Sequence, residues 1–466
     1  MKNPYTLSMY GIDEPLLSAI FSNVKVATFP LPPGGGSVAI GDLGQWKLQQ
    51  GLVSELSGAR FPSFLGLPRL GADAFERLVS IVKNSSPLLK RGTTRKSLDQ
   101  LLRRVIGEQF VVSGRPNASA YDVAAIIAAV DDWVAEEMIT RTHFIPCAVS
   151  PHAQQPFMIG PVSFHELTTK LQSLSHHFRG LDQTNDHMRD TAIARGGKWL
   201  AEIEVADCES AQSEYFANTA VDLATTGVQM LFHFKHVQNI GRITGRAPPI
   251  MFGTCWISPT GKVGQGIRND FPGLTLGVGA INSEISKNQQ LVDAIGHRIN
   301  AFLAQSSHNS QIAAVELAWC DAAYWFREGL AEPVDTIAVA KLETCLEVLL
   351  GAESSSGSRR RIEQAFKLFL GKAPQDRIFT STHITVKKFA QELVGARSRV
   401  LHGTSSTLVD DGSGTPRDEA WIVVHAMLIL SALKLDQFVA SGAAIQPPAA
   451  GRAAFDSFLA WVEQNP

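Results

Sequence analysis

The sequence lacks the motifs by which metal-dependent, redox and nucleotide-binding proteins are usually found. It contains five cysteines, and no two of them lie within three residues of each other, so zinc-binding and redox CxxC spacings are absent. Its glycine-rich segments PPGGGS and LGVGAI lack the context of phosphate-binding loops, and there is no Gly-x-Ser-x-Gly motif. We therefore expect no metal and no cofactor, and the scattered thiols favour a reducing, cytoplasmic compartment.

Net charge is also nearly absent. The 466 residues carry 42 lysines and arginines against 44 acidic side chains, a balance of −2, so no field of the whole protein attracts nucleic acid or a membrane. With 45% hydrophobic residues the chain has ample core for about two to four domains. The N-terminal MKNPYTLSMYGIDEP has no apolar run, and His425 and Lys434 interrupt the longest run, 421–435. We expect neither a signal peptide nor a membrane span.

Hydrophobic periodicity predicts an α+β chain that is mostly α and has three regions. The first region, residues 1–140, should be irregular over its first fifty residues and helical from about residue 55. Three segments there place apolar residues at three- and four-residue steps: ADAFERLVSIV, KSLDQLLRRVI and YDVAAIIAAVDDWVAEEM. Ser97 and Ser119 are expected to cap the second and third of these helices.

The second region, residues 141–288, has a mixed pattern. HFIPCAV, PFMIGPVSF and KWLAEIEVAD are rich in β-branched and aromatic residues, which predicts strands. SAQSEYFANTAVDLATTGVQMLFHF predicts a long helix, and IMFGTCWIS, TGK and LTLGVGAI predict strands and turns. We expect this region to serve as a sensor or regulator.

The third region, residues 289–466, has only helical patterns. Six segments with short connections predict an antiparallel helical bundle: LVDAIGHRINAFLAQ, IAAVELAWCDAAYWFREGL, VDTIAVAKLETCLEVLLG, RRIEQAFKLFLG, VKKFAQELVGARSRVL and DEAWIVVHAMLILSALKLDQFVA. Gly351, Gly371 and Gly403 follow three of these segments, where helix-terminating glycines are expected.

Positive charge is concentrated in one part of this bundle. Between Arg359 and Arg399 there are ten basic residues and three acidic ones, a local balance of +7. Such a patch on a weakly acidic protein is expected of a site for a phosphate backbone, although charged helix faces are as often merely solvated. The basic residues expected to contact RNA are Arg359, Arg360, Arg361, Lys387, Lys388 and Arg399.

Arg397 and His402 fit the spacing Arg-x4–6-His. The spacing alone is a weak signal, because the chain has 13 histidines and Arg377 with His383 fits it too. Context separates the two pairs. ARSRVLHG lies at the end of a predicted helix with a glycine stop, whereas DRIFTSTHIT has the pattern of a loop.

The segment from Arg397 to Gly403, RSRVLHG, resembles the Arg-Ser-x-(Ile/Val)-(Val/Leu)-His-Gly signature of ApeA-like HEPN domains. The upstream LETCLEVLLG resembles the Leu-Glu-x-Leu-Leu helix of the same branch. The resemblance covers about residues 310–440 and is weaker over 141–300; before residue 140 there is none. Many active HEPN nucleases have Asn, Asp or His after the arginine, where this chain has Ser398.

The resemblance implies metal-independent cleavage of RNA (tRNA, rRNA or mRNA) by attack of the 2′-hydroxyl on the adjacent phosphate. His402 would act as general base or acid, Arg397 would stabilise charge on the phosphate, and Ser398 would orient His402. Positions 397 and 402 do not share a helix face, so the pair implies a deformed helix end or a symmetric homodimer through the bundle. Family analogy further suggests a toxin or anti-phage defence effector with a phage-derived trigger.

Each of these residues also has a purely structural interpretation. Arg397 could form a salt bridge with Glu392, Glu347 or Glu343, and His402 could cap its helix. The rival functions are a non-catalytic RNA- or nucleotide-binding regulator and a structural interaction protein.

Two other groups of residues carry weaker signals. His233 and His236 have the spacing of metal ligands but no evident third ligand. The aromatic side chains between Trp319 and Phe326 are expected to pack in the core rather than stack on bases.

Overall fold

A computed structural model describes most of the chain and confirms the α+β, mostly helical class. The described residues are 10, 12–22, 25–28, 47–48, 63–67, 69–113, 117–152, 154–174, 182–243, 251–269, 273–274, 276–304, 312–403, 416–442 and 452–465. They form two compact units. One comprises the described parts of 1–141 with 205–215, and the other those of 142–204 with 216–466. The divisions fall inside two strands and one helix.

The first unit is built of helices with a small sheet. Its helices are α1 (Glu14–Phe21), α2 (Arg69–Asn84), α3 (Pro87–Gly92), α4 (Arg95–Ser113) and α5 (Ala120–Glu137). Strands β1 (Lys25–Thr28), β2 (Lys47–Leu48) and β3 (Ser63–Leu67) form an antiparallel sheet in the order β1–β3–β2. The three predicted helices are confirmed as α2, α4 and α5. Their apolar faces meet that of α1 in one core.

Two sequence predictions for this unit are wrong. The first fifty residues are not wholly irregular, because Asp13 caps α1 by accepting a hydrogen bond from the Leu16 N–H at 2.8 Å. Ser97 does not cap α4, since it lies inside the helix. The Thr94 hydroxyl accepts a hydrogen bond from the Ser97 N–H at 3.0 Å instead. Ser119 does cap α5, and its N–H and hydroxyl both donate to Asp122.

A five-stranded sheet and its helices follow. The strands are β4 (Ile139–Ala148), β5 (Phe157–Ile159), β6 (Val162–Glu166), β7 (Trp199–Cys208) and β8 (Gly241–Arg242), in the order β5–β6–β7–β4–β8. The helices are α6 (Leu167–Leu174), α7 (Asp182–Ala194) and α8 (Ser210–Met230). The strands and the long helix predicted from the sequence are confirmed, although α8 ends four residues before the predicted Phe234.

A separate hairpin and a short helix complete the middle of the chain. Strands β9 (Met251–Ile257) and β10 (Val263–Asn269) pair antiparallel, as the pattern predicts. Within LTLGVGAI, residues 278–279 form a turn, in line with the predicted strands and turns, and Ala280 begins α9 (Ala280–Lys287), a helix that was not predicted. Gly279, the residue before this helix, has the left-handed conformation, with φ +73°, which glycine adopts without strain.

The C-terminal bundle contains the six predicted helices and one more. They are α10 (Gln289–Leu303), α11 (Ala313–Leu330), α12 (Asp335–Leu349), α13 (Ser355–Leu370), α14 (Val386–Leu401), α15 (Arg417–Ala440) and α16 (Arg452–Gln464), of which α16 was not predicted. Helix α12 packs against α11, α13, α14 and α15, and the unit that contains this bundle also contains most of the five-stranded sheet.

Helix α15 has the length and composition of a membrane span, with a mean hydropathy of 1.7 in its most apolar window. The run is therefore longer and more apolar than the sequence interpretation allowed. Its apolar side chains nevertheless pack against α10, α11 and α12, and the indole N–H of Trp319 donates to the Leu428 carbonyl at 3.0 Å. This is the arrangement of a core helix in a globular domain.

The three predicted glycine stops are confirmed. Gly351, Gly371 and Gly403 have φ values of +62°, +64° and +64°, the left-handed conformation that ends helices. They differ in their surroundings. A Cβ atom at Gly351 would lie 2.5 Å from Cγ of Phe455, whereas one at Gly371 would meet no described atom within 4 Å.

Replacing these glycines separates conformational strain from steric clash. We expect Gly371→Ala to lower the free energy of unfolding by about 1 kcal/mol, for the left-handed backbone alone. Gly351→Ala should cost about 3 kcal/mol, because the methyl group also displaces Phe455 of α16. Urea unfolding followed by tryptophan fluorescence measures both. Equal losses would contradict the packing of Phe455 on Gly351.

Candidate active site on the helical bundle

Helix α14 presents the Arg397–His402 segment at its C-terminal end. It begins at a Thr385 cap, whose hydroxyl accepts from the Lys388 N–H at 3.3 Å, and it buries an apolar face that includes Phe389 and Leu393. The helix ends at Leu401, and the His402 N–H donates to the Ser398 carbonyl at 3.0 Å. The motif therefore occupies the last turn and the cap of a helix whose other turns are fixed by the core.

Arg397 is held by two carboxylates of α12. Its Nη1 contacts Oε2 of Glu347, and its Nε lies 3.4 Å from Oε2 of Glu343. The structural alternative raised by the sequence, a salt bridge within the bundle, is thus present with Glu343 and Glu347. Glu392 pairs instead with Lys388 of its own helix, at 3.5 Å.

Glu343 is the most buried acid of this cluster. Its side chain is 0% exposed, against 15% for Glu347. The Ser358 hydroxyl donates to Oε1 at 2.9 Å, while Oε2 receives no hydrogen bond from the described residues. Burial raises the pKa of Glu343 to about 7, Glu347 adds to the rise, and Ser358 and Arg397 oppose it. Both charge states of this carboxyl are populated near neutral pH.

His402 and Ser398 lie on the surface. Both are exposed and one helical turn apart, as expected for Ser398 to neighbour His402. Arg397 points elsewhere, since five residues correspond to a rotation of about 140° around a helix. The side chains of Arg397 and His402 form no hydrogen bond with each other in the described part of the chain. A single copy therefore does not bring the two groups together.

The predicted RNA-contacting residues divide by exposure. Arg359 and Arg360 of α13 and Lys387 and Lys388 of α14 are exposed, and Arg399 is half-buried. Arg361 is buried and its guanidinium pairs with Asp456 of α16. Its predicted role as a surface contact is therefore corrected to a helix-to-helix ion pair, because α13 turns every third or fourth residue toward the core.

The competing pair, Arg377 and His383, lies between α13 and α14. Both side chains are exposed, and Arg377 forms an isolated β-bridge with Thr385. The Lys372 ammonium donates to the Arg377 carbonyl at 2.8 Å. The segment is an ordered connection, as its loop pattern predicts, and His383 provides a natural control for His402.

The remaining sequence signals have structural positions. His233 and His236 bound a 3-10 turn after α8, and the ring of His233 lies 5.5 Å from that of Trp421. No group of three or more metal-ligating side chains occurs among the described residues. Trp319 and Phe326 pack in the core as expected, but Tyr324 does not, being 47% exposed.

One polar cluster was not found from the sequence. Asp436 of α15 accepts from the buried Arg298 guanidinium at 2.9 Å and lies 2.8 Å from the imidazole Nδ1 of the exposed His297. Arg298 also lies 3.5 Å from Glu316 of α11. No sequence spacing indicates this cluster, because its partners lie on three helices that only the tertiary fold brings together.

Comparison of the chain with protein-family models, with curated proteins and with solved structures finds no match. The resemblance of α12 and α14 to the HEPN motifs stays a prediction.

The buried Glu343 makes stability depend on pH. Its pKa of about 7 in the folded protein lies above the ordinary 4.5, so folding opposes its ionisation. The contribution of Glu343 to the free energy of unfolding therefore falls as pH rises from about 4.5 through about 7. Glu343→Gln has no carboxyl to ionise and escapes this loss. The unfolding free energy of the variant minus that of wild type should therefore increase by roughly 3 kcal/mol as pH rises through this range. Urea unfolding at several pH values measures the gain. Glu347→Gln is the matched control, and an equal pH-dependent gain there would contradict the assignment to Glu343.

Proposed function

We propose that the chain is a metal-independent endoribonuclease of the HEPN type, with its active site at the end of α14. The observation that carries the proposal is the position of the RSRVLHG segment. It places an exposed histidine and serine at a helix terminus, with an arginine on the same turn that packs on the Leu-Glu-rich helix α12. Exposed basic side chains on α13 and α14 supply local positive charge for an RNA backbone.

The proposed reaction needs only groups that this chain provides. The 2′-oxygen of a ribose forms a bond to the adjacent phosphorus as the bond to the 5′-oxygen breaks, giving a cyclic phosphate and a 5′-hydroxyl. His402 removes the 2′-hydroxyl proton or donates one to the departing 5′-oxygen, and water exchanges the other proton. Arg397 donates hydrogen bonds to the phosphate oxygens, and the Ser398 hydroxyl orients the imidazole.

Two copies would assemble this site. Because Arg397 and His402 face different sides of α14 in one copy, the pair meets more readily across a two-fold axis, where each copy contributes its own segment. Leu401, between them, is 66% exposed and offers apolar area for such an interface. We therefore propose a homodimer formed through the bundle.

Residues 1–288 would then regulate the nuclease. The motif takes up a small part of the length, which leaves most of the chain for regulation. We propose a cytoplasmic toxin or anti-phage defence effector that is restrained until a phage-derived trigger binds. This part of the proposal rests on family analogy.

A non-catalytic RNA- or nucleotide-binding regulator is the second candidate. It is favoured by the ion pairs of Arg397 with Glu343 and Glu347, which give the guanidinium a structural role without any substrate. A structural interaction protein is the third, and it requires that the basic surface have no function.

Replacing His402 tests the chemistry. We expect His402→Ala to lower cleavage of a labelled RNA by at least about a hundredfold, as for loss of a general acid or base. RNA binding should change little, because the side chain is exposed at a helix cap. His383→Ala is the control, being an exposed histidine in the competing pair. Equal cleavage by wild type and His402→Ala, both active, would end the catalytic assignment.

Reversing charge on α13 tests the RNA surface. We expect Arg359→Glu with Arg360→Glu to weaken RNA binding and to flatten its salt dependence by about two units of slope, one for each phosphate that is no longer neutralised by an arginine. Lys235→Glu with Lys262→Glu makes the same charge change at exposed positions outside helices α10–α16. Electrophoretic mobility shifts at several salt concentrations compare the two. Equal weakening would point to overall charge instead of a local site.

A further inference from the structure

We propose that Glu343 is a positioning residue that sets the affinity of Arg397 for an RNA phosphate through the charge of its own carboxyl group. A neutral Glu343 leaves Arg397 able to bind the phosphate, and an ionised Glu343 opposes that binding. The inference deepens the proposed function and rests on it, because it takes RNA as the ligand of Arg397.

The charges around Arg397 carry the first step. Its guanidinium contacts Glu347 through Nη1 and lies 3.4 Å from Glu343 through Nε. When both carboxyls are ionised, the three groups together carry one negative charge. When Glu343 is protonated, they are neutral. A phosphodiester approaching Arg397 is therefore repelled in the first state and tolerated in the second.

Burial explains why Glu343 rather than Glu347 changes state. The Glu343 side chain is 0% exposed, and its Oε2 has no hydrogen-bond donor among the described residues. Glu347 is partly exposed and contacts the guanidinium closely. Since an ionised carboxylate without solvent or full hydrogen bonding is costly, the proton goes to Glu343. The pKa of about 7 puts this change at neutral pH.

The groups that face Glu343 are few. From α14 comes Arg397, from α13 the Ser358 hydroxyl, and from α12 itself Glu347. Helices α11 and α15 also pack on α12, but they place no further charged group in the electrostatic environment of Glu343 in the described part of the chain. The exposed His402 is not part of that environment.

Thermodynamic linkage fixes the direction of the effect. A bound phosphate is an added negative charge near Glu343, so binding raises the pKa of Glu343 and takes up a proton. RNA affinity should then be highest below about pH 7 and fall between the pKa of the free protein and the higher pKa of the complex. If binding raises this pKa by about one unit, the affinity loss is about tenfold.

A purely structural role predicts something else. The Ser358–Glu343 hydrogen bond joins α13 to α12, and a role confined to holding these helices would change RNA affinity by the same factor at every pH. A pH profile of binding therefore distinguishes the two roles, whereas a single affinity does not.

The test uses the full chain and a fluorescent RNA whose 2′-oxygens are methylated, so that it cannot be cleaved. Fluorescence anisotropy gives Kd from about pH 5.5 to about pH 9, a range that brackets the titration. Wild type should lose about tenfold more affinity across this range than Glu343→Gln, with both sharing any loss due to histidine deprotonation. Glu347→Gln should bind RNA more tightly overall and should still lose affinity as pH rises. The loss should occur at lower pH than in wild type, because Glu347 raises the pKa of Glu343.

Ser358→Ala gives an independent arm that retains Glu343. It removes a donor to the ionised carboxylate, so the affinity loss should move to higher pH. The same pH profile in wild type and folded Glu343→Gln would overturn the inference while leaving RNA binding intact. A Ser358→Ala profile identical to that of wild type would overturn it too. No RNA binding by wild type at any pH would overturn both this inference and the proposed RNA site.

Discussion

The packing of α12 among α11, α13, α14 and α15 is the constraint on which the candidate site depends. The helix buries apolar residues such as Leu342 and Leu346, each of which stabilises the fold by roughly 2 kcal/mol. Because this packing fixes the rotation of the helix, Glu343 has no path to solvent and must be accommodated where it lies. Its carboxyl meets Ser358 on one side and Arg397 on the other. The packing of apolar side chains on α12 thus determines which carboxyl group lies beside Arg397.

The end of α14 obeys a different constraint. The apolar face of this helix stops at Val394, and the last two turns contain half-buried and exposed residues up to the left-handed Gly403. Arg397 still forms ion pairs with α12, whereas Ser398 and His402 are exposed. The same helix therefore holds one group of the motif rigidly and leaves the other two accessible. Arg397 is held and the other two residues are accessible because α14 extends about two turns beyond the apolar core of the bundle.

Local patterns predicted much of the fold and little of the site. β7, α8 and α14 were found because each has a clear periodicity, and the glycine stops because left-handed helix ends favour glycine. Helices α1 and α9 were missed because each has only eight residues, too few to show a clear helical period. Glu343 and Glu347 were foreseen as partners of Arg397. The burial of Glu343, its bond to Ser358 and the inward turn of Arg361 depend on tertiary packing, to which no spacing in the sequence corresponds.

The ion pairs of Arg397 affect both the orientation and the charge of its guanidinium group. A guanidinium has three nitrogens, and the ion pairs with Glu343 and Glu347 use Nε and Nη1. Contacts at two nitrogens fix the orientation of the guanidinium plane. An arginine that is already oriented loses less entropy when it binds a phosphate. When both carboxylates are ionised, however, their two negative charges exceed the single positive charge of Arg397, and the cluster repels a phosphate. Protonation of one carboxylate in place removes that excess and keeps the guanidinium held, and the buried Glu343, which accepts a hydrogen bond from Ser358, is the one placed to do so.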